Sequence, residues 1–182
     1  MMLAENITDV VSKFTGENNE PSGEVEAYIL KSMWVMMLSE FEGNIKDLVE
    51  LHIDNVKKLD INEIHICLLL QHFLSDKEGR MNVKDVISVF KKDPQKISYS
   101  KFTRDYKPKY KFKPIEKLFN SLGVFFSDSD ERMLKKLDGI ASTRDSIAHG
   151  DRSVAITKQE LVDRIDDLRE IFTLLEKKLD TS

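Results

Sequence analysis

The sequence predicts an all-α fold, a bundle of about five or six helices with a long first helix and an amphipathic last one. Glycine and proline are scarce, at seven and four in 182 residues, and a many-stranded sandwich or barrel would need more turn residues. Hydrophobic residues make up 41% of the chain, which is enough for a single core. We expect an N-terminal helix and loop over residues 1–22 and one helical domain over residues 23–182.

The N-terminal part is expected to hold a short helix followed by a long one. The short helix is predicted from a run of apolar residues at helical spacing, Leu3, Ile7, Val10 and Phe14. Residues 16–24 contain Gly, Pro and Asn and are typical of a loop. The long helix is predicted over residues 25–58, where steps of four and three give one apolar face: Leu30, Trp34, Met37, Phe41, Ile45 and Leu48.

Two more helices are predicted before the middle of the chain. Asp60 can cap a helix over residues 61–75, which is apolar nearly all round and is therefore expected to be central. A short helix over residues 83–90 follows. Residues 91–114 contain three prolines and no clear period, so they are expected to form a loop or an extended segment.

Three helices are predicted after this loop. The first covers residues 115–122 and ends at Gly123, and the second begins at Asp128 or Ser129 and ends at Gly150. The last begins at Thr157, which forms a capping-box pattern with Glu160. Its apolar residues alternate by four and three, as in a bundle seam: Leu161, Ile165, Leu168, Phe172, Leu175 and Leu179.

Composition predicts a soluble, cytoplasmic protein. The first fourteen residues carry acids and lack a continuous apolar core, so no signal peptide is expected. The longer apolar runs, residues 33–38 and 66–70, are far too short to span a membrane. The single cysteine, Cys67, cannot form an internal disulfide, which fits a reducing compartment.

The charge of the chain is unevenly distributed. Residues 91–113 carry eight Lys and one Arg against two Asp, a net charge of +7, which leaves −11 on the rest of a chain whose total is −4. Cations interleaved with aromatic rings suit a single-stranded nucleic acid, with phosphates on the cations and bases on the rings. An equally good alternative is a loop whose rings pack on the bundle while its lysines stay in water. The candidate RNA-binding residues are Lys101, Arg104, Tyr106, Lys107, Lys109, Tyr110, Lys111 and Lys113.

The candidate site lies in TRDSIAHG, residues 143–150, near the end of the second helix after the loop. Arg144 falls where the apolar stripe of that helix expects a hydrophobic residue, so it needs an anionic or carbonyl partner unless it reaches out to solvent. Asp145 and His149 are spaced by four, so the carboxylate could orient the imidazole. Arg144 and His149 point about 140° apart on an ideal helix, so a second copy of the helix could complete a site. The alternative is an ordinary helix end at Gly150.

RDSIAHG, followed by a last amphipathic helix, resembles the signature of the HEPN superfamily: an Arg, a polar residue, three further residues and a His. The order of the helices resembles that family too, over residues 25–179. The resemblance implies an all-α HEPN-like bundle that dimerises and brings two Arg–His motifs into one cleft. Many members are metal-independent endoribonucleases of toxin–antitoxin and defence systems, and others only bind RNA or protein partners.

The resemblance also assigns roles by position. His149 would be the general acid/base, Arg144 would hold the scissile phosphate, and Asp145 would orient the site, with Ser146 and Glu42 in support. For Glu42 and the nearby Glu40, a solvated helix face is the alternative. Some family toxins carry a Tyr two residues after the His that a partner enzyme modifies, and here Asp151 stands at that position.

The chemistry that the resemblance implies needs neither a metal nor a cofactor, and none is expected. RNA carries its own nucleophile, the 2′-hydroxyl, so a proton-transferring His and a fixed guanidinium are sufficient. The remaining histidines and the cysteine do not have the paired spacing of structural zinc ligands and are interpreted as core or surface residues: His52, His65, Cys67 and His72.

Three functions follow as hypotheses. The first is a HEPN endoribonuclease of the toxin or defence kind, with RNA as substrate, a homodimeric site and an antitoxin or defence-system partner, without membrane association. The second is a HEPN domain that binds RNA or a protein without cutting. The third is a helical adaptor whose last helix pairs with another protein.

Overall fold

In the computed structural model of the chain, the residues described are 7, 9–14, 19–56 and 111–180, and no strand occurs among them. The predicted helices over residues 61–75 and 83–90 and most of the basic loop lie outside these ranges. Within them, no helix combines the length and the apolarity of a membrane span. The all-α prediction is confirmed by five helices: α1 (Glu24–Val56), α2 (Phe112–Ser121), α3 (Asp128–Leu134), α4 (Lys136–Ala148) and α5 (Lys158–Asp180).

Helix α1 confirms the predicted long helix and supplies one wall of the core. Its apolar face is buried as expected through the first five predicted positions, which are Leu30, Trp34, Met37, Phe41 and Ile45. Further along, Val49 and Ile53 are buried, whereas Leu48 is only partly buried. A buried stripe that steps by four therefore continues to the end of the described helix.

The predicted N-terminal helix is present as a short helical segment around residues 7–11. Ile7 and Val11 are buried in the core, whereas Val10, one of the residues whose spacing predicted the helix, is 38% exposed. Both a step of three and a step of four from Ile7 fit a helical period, and packing selects the second. Phe14 follows and packs against the edge of the core.

Helix α2 begins at Phe112, so its first residues, predicted as part of the loop over 91–114, are helical. Phe112 is 2% exposed, and its backbone N–H donates to Asp138 Oδ1 at 2.9 Å. Pro114 lies in the first turn, where its missing N–H has no partner to lose. Helix α2 therefore starts where a contact with α4 fixes it, and its end before Gly123 confirms the prediction.

The single helix predicted from Asp128 or Ser129 is divided at Lys135 into α3 and α4. Its N-cap is Ser127, whose side chain forms a capping box with Asp130. Lys135 keeps right-handed helical dihedrals, so the chain continues in nearly the same direction.

Helix α4 ends as predicted at Gly150, which has a φ of 77°. Gly150 N–H donates to Ile147 O and Asp151 N–H donates to Ser146 O, both at 3.0 Å. This pair of bonds is the Schellman motif, which requires a left-handed residue at the glycine position.

Helix α5 closes the bundle. Thr157 Oγ1 accepts from Glu160 N–H at 3.0 Å, so the predicted cap is present. The predicted seam is buried except for Phe172, which is partly buried beside the fully buried Ile171. Lys136 Nζ on α4 contacts Asp167 Oδ1 on α5 at 2.6 Å.

The relative direction of α1 and α4 places the motif. Trp34 Nε1 on α1 donates to Ile140 O on α4 at 3.1 Å. Closer to the start of α1, Tyr28 lines the same surface groove as Ile147 near the end of α4. The two helices are therefore antiparallel, and the end of α4 with residues 143–150 lies beside the beginning of α1.

Candidate active site

Arg144 lies at the boundary between the core and solvent. Its side chain is 32% exposed, and its NH1 contacts Asp145 Oδ1 at 3.3 Å. Its Nε is buried and has no hydrogen-bond partner among the described residues. Leaving a buried donor unsatisfied costs about 1–3 kcal/mol. The position that the stripe reserves for a hydrophobic residue is thus occupied by a cation that is neither fully paired nor fully solvated.

Asp145 joins two cations. Besides Arg144, its Oδ2 lies 3.6 Å from Nζ of Lys111, the residue just before α2. The carboxylate is therefore held between two cations, rather than by the imidazole four residues later as the spacing had suggested. The bond between Asp145 and His149 is a backbone one, from His149 N–H to Asp145 O at 3.0 Å.

His149 is the C-cap residue of α4, and its side chain is exposed. Within the described part of the chain, the imidazole makes no hydrogen bond or ion pair. Gly150 turns the backbone away immediately after it. The imidazole is therefore open to a substrate, and Arg144 lies at a different angle around the same helix.

The two supporting residues differ in their placement. Ser146 is partly buried on α4 within the motif. Glu42 is partly buried on α1, but it lies on the far side of the Trp34–Ile140 contact from Arg144. At 1.5 Å per helical residue, the axial separation of Glu42 and Arg144 is roughly 18 Å. The fold of one chain does not bring Glu42 to the motif.

Of the candidate RNA-binding residues, the structure describes Lys111 and Lys113. Lys111 contacts the motif through its ion pair with Asp145. Lys113 Nζ instead pairs with Glu116 Oε2 at 2.7 Å and lies 4.7 Å from the centre of the Phe112 ring. The hydrogen bond to Glu116 raises the pKa of Lys113. The other candidates lie outside the described residues: Lys101, Arg104, Tyr106, Lys107, Lys109 and Tyr110.

Sequence reasoning missed two features of this site. Asp138, two helical turns before Asp145 on the same face of α4, anchors the start of α2 and thereby Lys111. The second feature is the groove beside the motif, which Tyr28 and Lys31 of α1 line together with Arg152. Neither had a local signal, because both arise from residues that are distant in sequence. The interpretation of His65, Cys67 and His72 falls outside the described residues.

One of three comparisons with known proteins identifies a family for this chain. The profile of the RiboL-PSP-HEPN family matches residues 3–181, which is nearly the whole chain. Searches of curated proteins and of solved structures gave no match. The extent of the profile match, the helical bundle and an Arg–His motif at the end of α4 together lead to one conclusion: the chain belongs to the RiboL-PSP-HEPN family and is a HEPN domain.

Proposed function

We propose that the protein is a metal-independent endoribonuclease of the toxin or defence kind, acting at a cleft between two copies of the chain. The observation that carries the proposal is the convergence of Arg144 and Lys111 on Asp145, one helical turn from the exposed His149. A phosphate entering beside Asp145 would meet two cations at once. Charge-assisted hydrogen bonds from such groups are the strong ones in protein sites.

The reaction that fits these groups is transesterification within RNA. The 2′-hydroxyl loses its proton to one His149, its oxygen attacks the adjacent phosphorus, and the bond from phosphorus to the 5′-oxygen breaks. A proton given to that 5′-oxygen completes the step, leaving a 2′,3′-cyclic phosphate and a 5′-hydroxyl. Arg144 and Lys111 neutralise the charge that accumulates on the phosphoryl oxygens.

In-line displacement explains why two copies are needed. The attacking and the leaving oxygens lie on opposite sides of the phosphorus, so one imidazole cannot serve both at the same moment. A second copy of the motif would supply the second imidazole, protonated, as the acid. Each proton transfer contributes about 100- to 10,000-fold to the rate.

The binding-only HEPN module is the second candidate, and the partly exposed basic and acidic groups around Asp145 would serve it equally. The adaptor hypothesis is weakened by the burial of the α5 seam inside its own bundle: Leu161, Ile165, Leu168, Leu175 and Leu179 are at most 4% exposed. A second protein could use that seam only by displacing the helices packed on α5, which are α1, α3 and α4.

Cleavage of RNA in the presence of EDTA tests the proposal. We expect the parent chain to cut and to leave cyclic phosphate ends, and His149→Ala and Arg144→Ala to lose at least about 100-fold in rate. Arg169→Ala is the charge-matched control, since Arg169 is a partly exposed α5 residue paired with Asp166. Absence of cleavage by a folded dimer that still binds RNA would favour the binding-only module.

A further inference from the structure

A groove of about 600 Å³ opens between the first turns of α1 and the loop that follows the motif. This volume is typical of sites for small organic ligands, which range over about 300–1,000 Å³. Its walls come from two places in the sequence: Tyr28, Lys31 and Met36 from α1, and Ile147, Gly150 and Arg152 from the end of α4 and beyond.

The α1 side of the groove offers an uncovered aromatic ring. Tyr28 is 74% exposed and Met36 is 50% exposed, although both are large apolar residues on a well-packed helix. Ser32, between them, donates its hydroxyl hydrogen to Tyr28 O at 2.9 Å and is thus bound to its own helix. The ring of Tyr28 is free to stack against a flat ligand.

The rim of the groove carries positive charge on an otherwise acidic body. Lys31 is the only cation between Glu24 and Ile45, and Arg152 lies across the groove from it. The nearby carboxylate of Asp151 accepts from Ser153 N–H and Oγ–H at 2.9 and 2.7 Å. Those bonds, with a smaller contribution from Lys31, lower the pKa of Asp151. The rim of the groove therefore carries two cations and one carboxylate, and that carboxylate is already hydrogen-bonded within its own turn.

The groove adjoins the proposed active site. Ile147 lies three residues after Arg144, about 4.5 Å along the axis and on a neighbouring part of the same helix face. Gly150 and Arg152 follow His149 directly. A strand of RNA with its scissile phosphate at Arg144 would place an adjacent nucleotide at the groove.

We propose that this groove is a nucleobase subsite, in which one unpaired base of single-stranded RNA stacks on Tyr28 while its flanking phosphates pair with Lys31 and Arg152. The inference rests on the proposed function for the position of the scissile phosphate. It adds a requirement for unpaired RNA beside the cut, since a base held in a duplex cannot reach the ring. The alternative occupant is a second copy of the chain, and the oligomeric state measured below distinguishes the two.

Binding of a short, fluorescently labelled 2′-O-methyl oligoribonucleotide to the full chain tests this subsite. The 2′-O-methyl groups remove the nucleophile, so binding is measured without cleavage. We expect Tyr28→Ala to weaken binding by about 5- to 100-fold, as for the removal of one base stack. Tyr28→Phe retains the ring and should bind like the parent. Phe125→Ala is the matched control, because Phe125 is 72% exposed on the loop before α3, at the far end of α3 and α4 from the motif.

Separate measurements test the two cations and the alternative occupant of the groove, a second copy of the chain. Lys31→Gln with Arg152→Gln should reduce the slope of log affinity against log salt by up to about 1.4, or 0.7 for each phosphate of a single strand that the protein no longer neutralises. Sedimentation of Tyr28→Ala should give the same oligomeric state as the parent; a change to monomer would assign the groove to a second copy and overturn the subsite. Unchanged RNA affinity in Tyr28→Ala would overturn it as well.

The possible results distinguish failure of the proposed base subsite from failure of the proposed nuclease activity. Tyr28-dependent binding by a chain that cuts no RNA would retain the subsite and remove the proposed activity. Cleavage that depends on His149 but is indifferent to Tyr28 would do the reverse. Failure of the parent to bind the oligonucleotide would overturn the subsite.

Discussion

The guanidinium of Arg144 lowers the stability of the fold at the position where the proposed function needs a cation. Its Nε is buried without a hydrogen-bond partner among the described residues, and its ion pair with Asp145 is half-exposed and so contributes at most about 1 kcal/mol. The apolar stripe of α4 would accept a hydrophobic side chain at the same place. A cation kept there at a cost in stability is typical of a residue retained for its chemistry.

Replacing Arg144 with Met should therefore stabilise the fold and abolish RNA cleavage. Removal of the unsatisfied Nε–H should raise the free energy of unfolding by about 1 kcal/mol. Urea denaturation measures this change. Arg164→Met is the control, since Arg164 pairs with Asp167 at 2.7 Å, and it should be neutral or slightly destabilising. A decrease in stability in Arg144→Met larger than in the control would show that Arg144 supports the fold.

At the scale of the helices, the sequence predicted what depends on neighbours along the chain. The apolar faces of α1 and α5 and the caps at Thr157 and Gly150 all carry local signals, and all are found in the structure. The start of α2 and the partners of Asp145 were not predicted. Phe112 is fixed by Asp138 and Asp145 is engaged by Lys111, and neither contact obeys a spacing rule, because it joins different helices.

Replacement of glycine by alanine should have opposite effects on stability at the two glycines in and directly after α4. Gly150 has a φ of 77°, so Gly150→Ala should destabilise the fold by about 1–2 kcal/mol through the left-handed penalty. Gly139 lies inside α4 with nothing within 4 Å of an added Cβ, so Gly139→Ala should stabilise by about 0.5–1 kcal/mol. Thermal unfolding of both variants checks the pair. Equal effects would contradict the assignment of Gly150 as the residue that ends the motif helix.

At the scale of the whole molecule, His52 links the stability of the bundle to pH. It is partly buried near the end of α1, where desolvation lowers its pKa and the nearby Asp180 at the end of α5 raises it less. Because the folded pKa lies below the unfolded value of about 6.5, the unfolded chain binds the proton more readily. Above about pH 6.5 the imidazole is neutral in both states, and its contribution to the free energy of unfolding is fully present. This contribution is lost as the pH falls below that value.

His52→Gln should remove this part of the pH dependence. We expect the parent to lose unfolding free energy between about pH 7.5 and pH 5.5, and the variant to lose less over the same range. Urea denaturation at each pH measures both. Every other titratable group is common to the parent and the variant, so an identical dependence in the two proteins would contradict the role of His52.

The charge asymmetry of the chain also gives a prediction at this scale. Residues 91–113 are at +7 while the remainder is at −11, and Lys111 places the end of that segment against the motif. If the segment guides RNA to the site, Gln at Lys107, Lys109, Lys111 and Lys113 together should weaken RNA binding and flatten its salt dependence. Unchanged affinity would indicate that the segment packs on the bundle with its lysines in water.

The single variants sharpen that test, because the structure distinguishes two lysines of the four. Lys111 shares Asp145 with Arg144 at the motif, whereas Lys113 is paired with Glu116. Lys111→Gln should lower the slope of log affinity against log salt by about 0.7, the value for one phosphate neutralised on a single strand. Lys113→Gln, matched in residue type and two positions away, should change it little, since Lys113 is held by Glu116 at 2.7 Å whereas Lys111 lies 3.6 Å from Asp145 at the motif itself. Equal slopes for the two variants would mean that RNA responds to the total charge of the segment and that Lys111 has no particular place at the site.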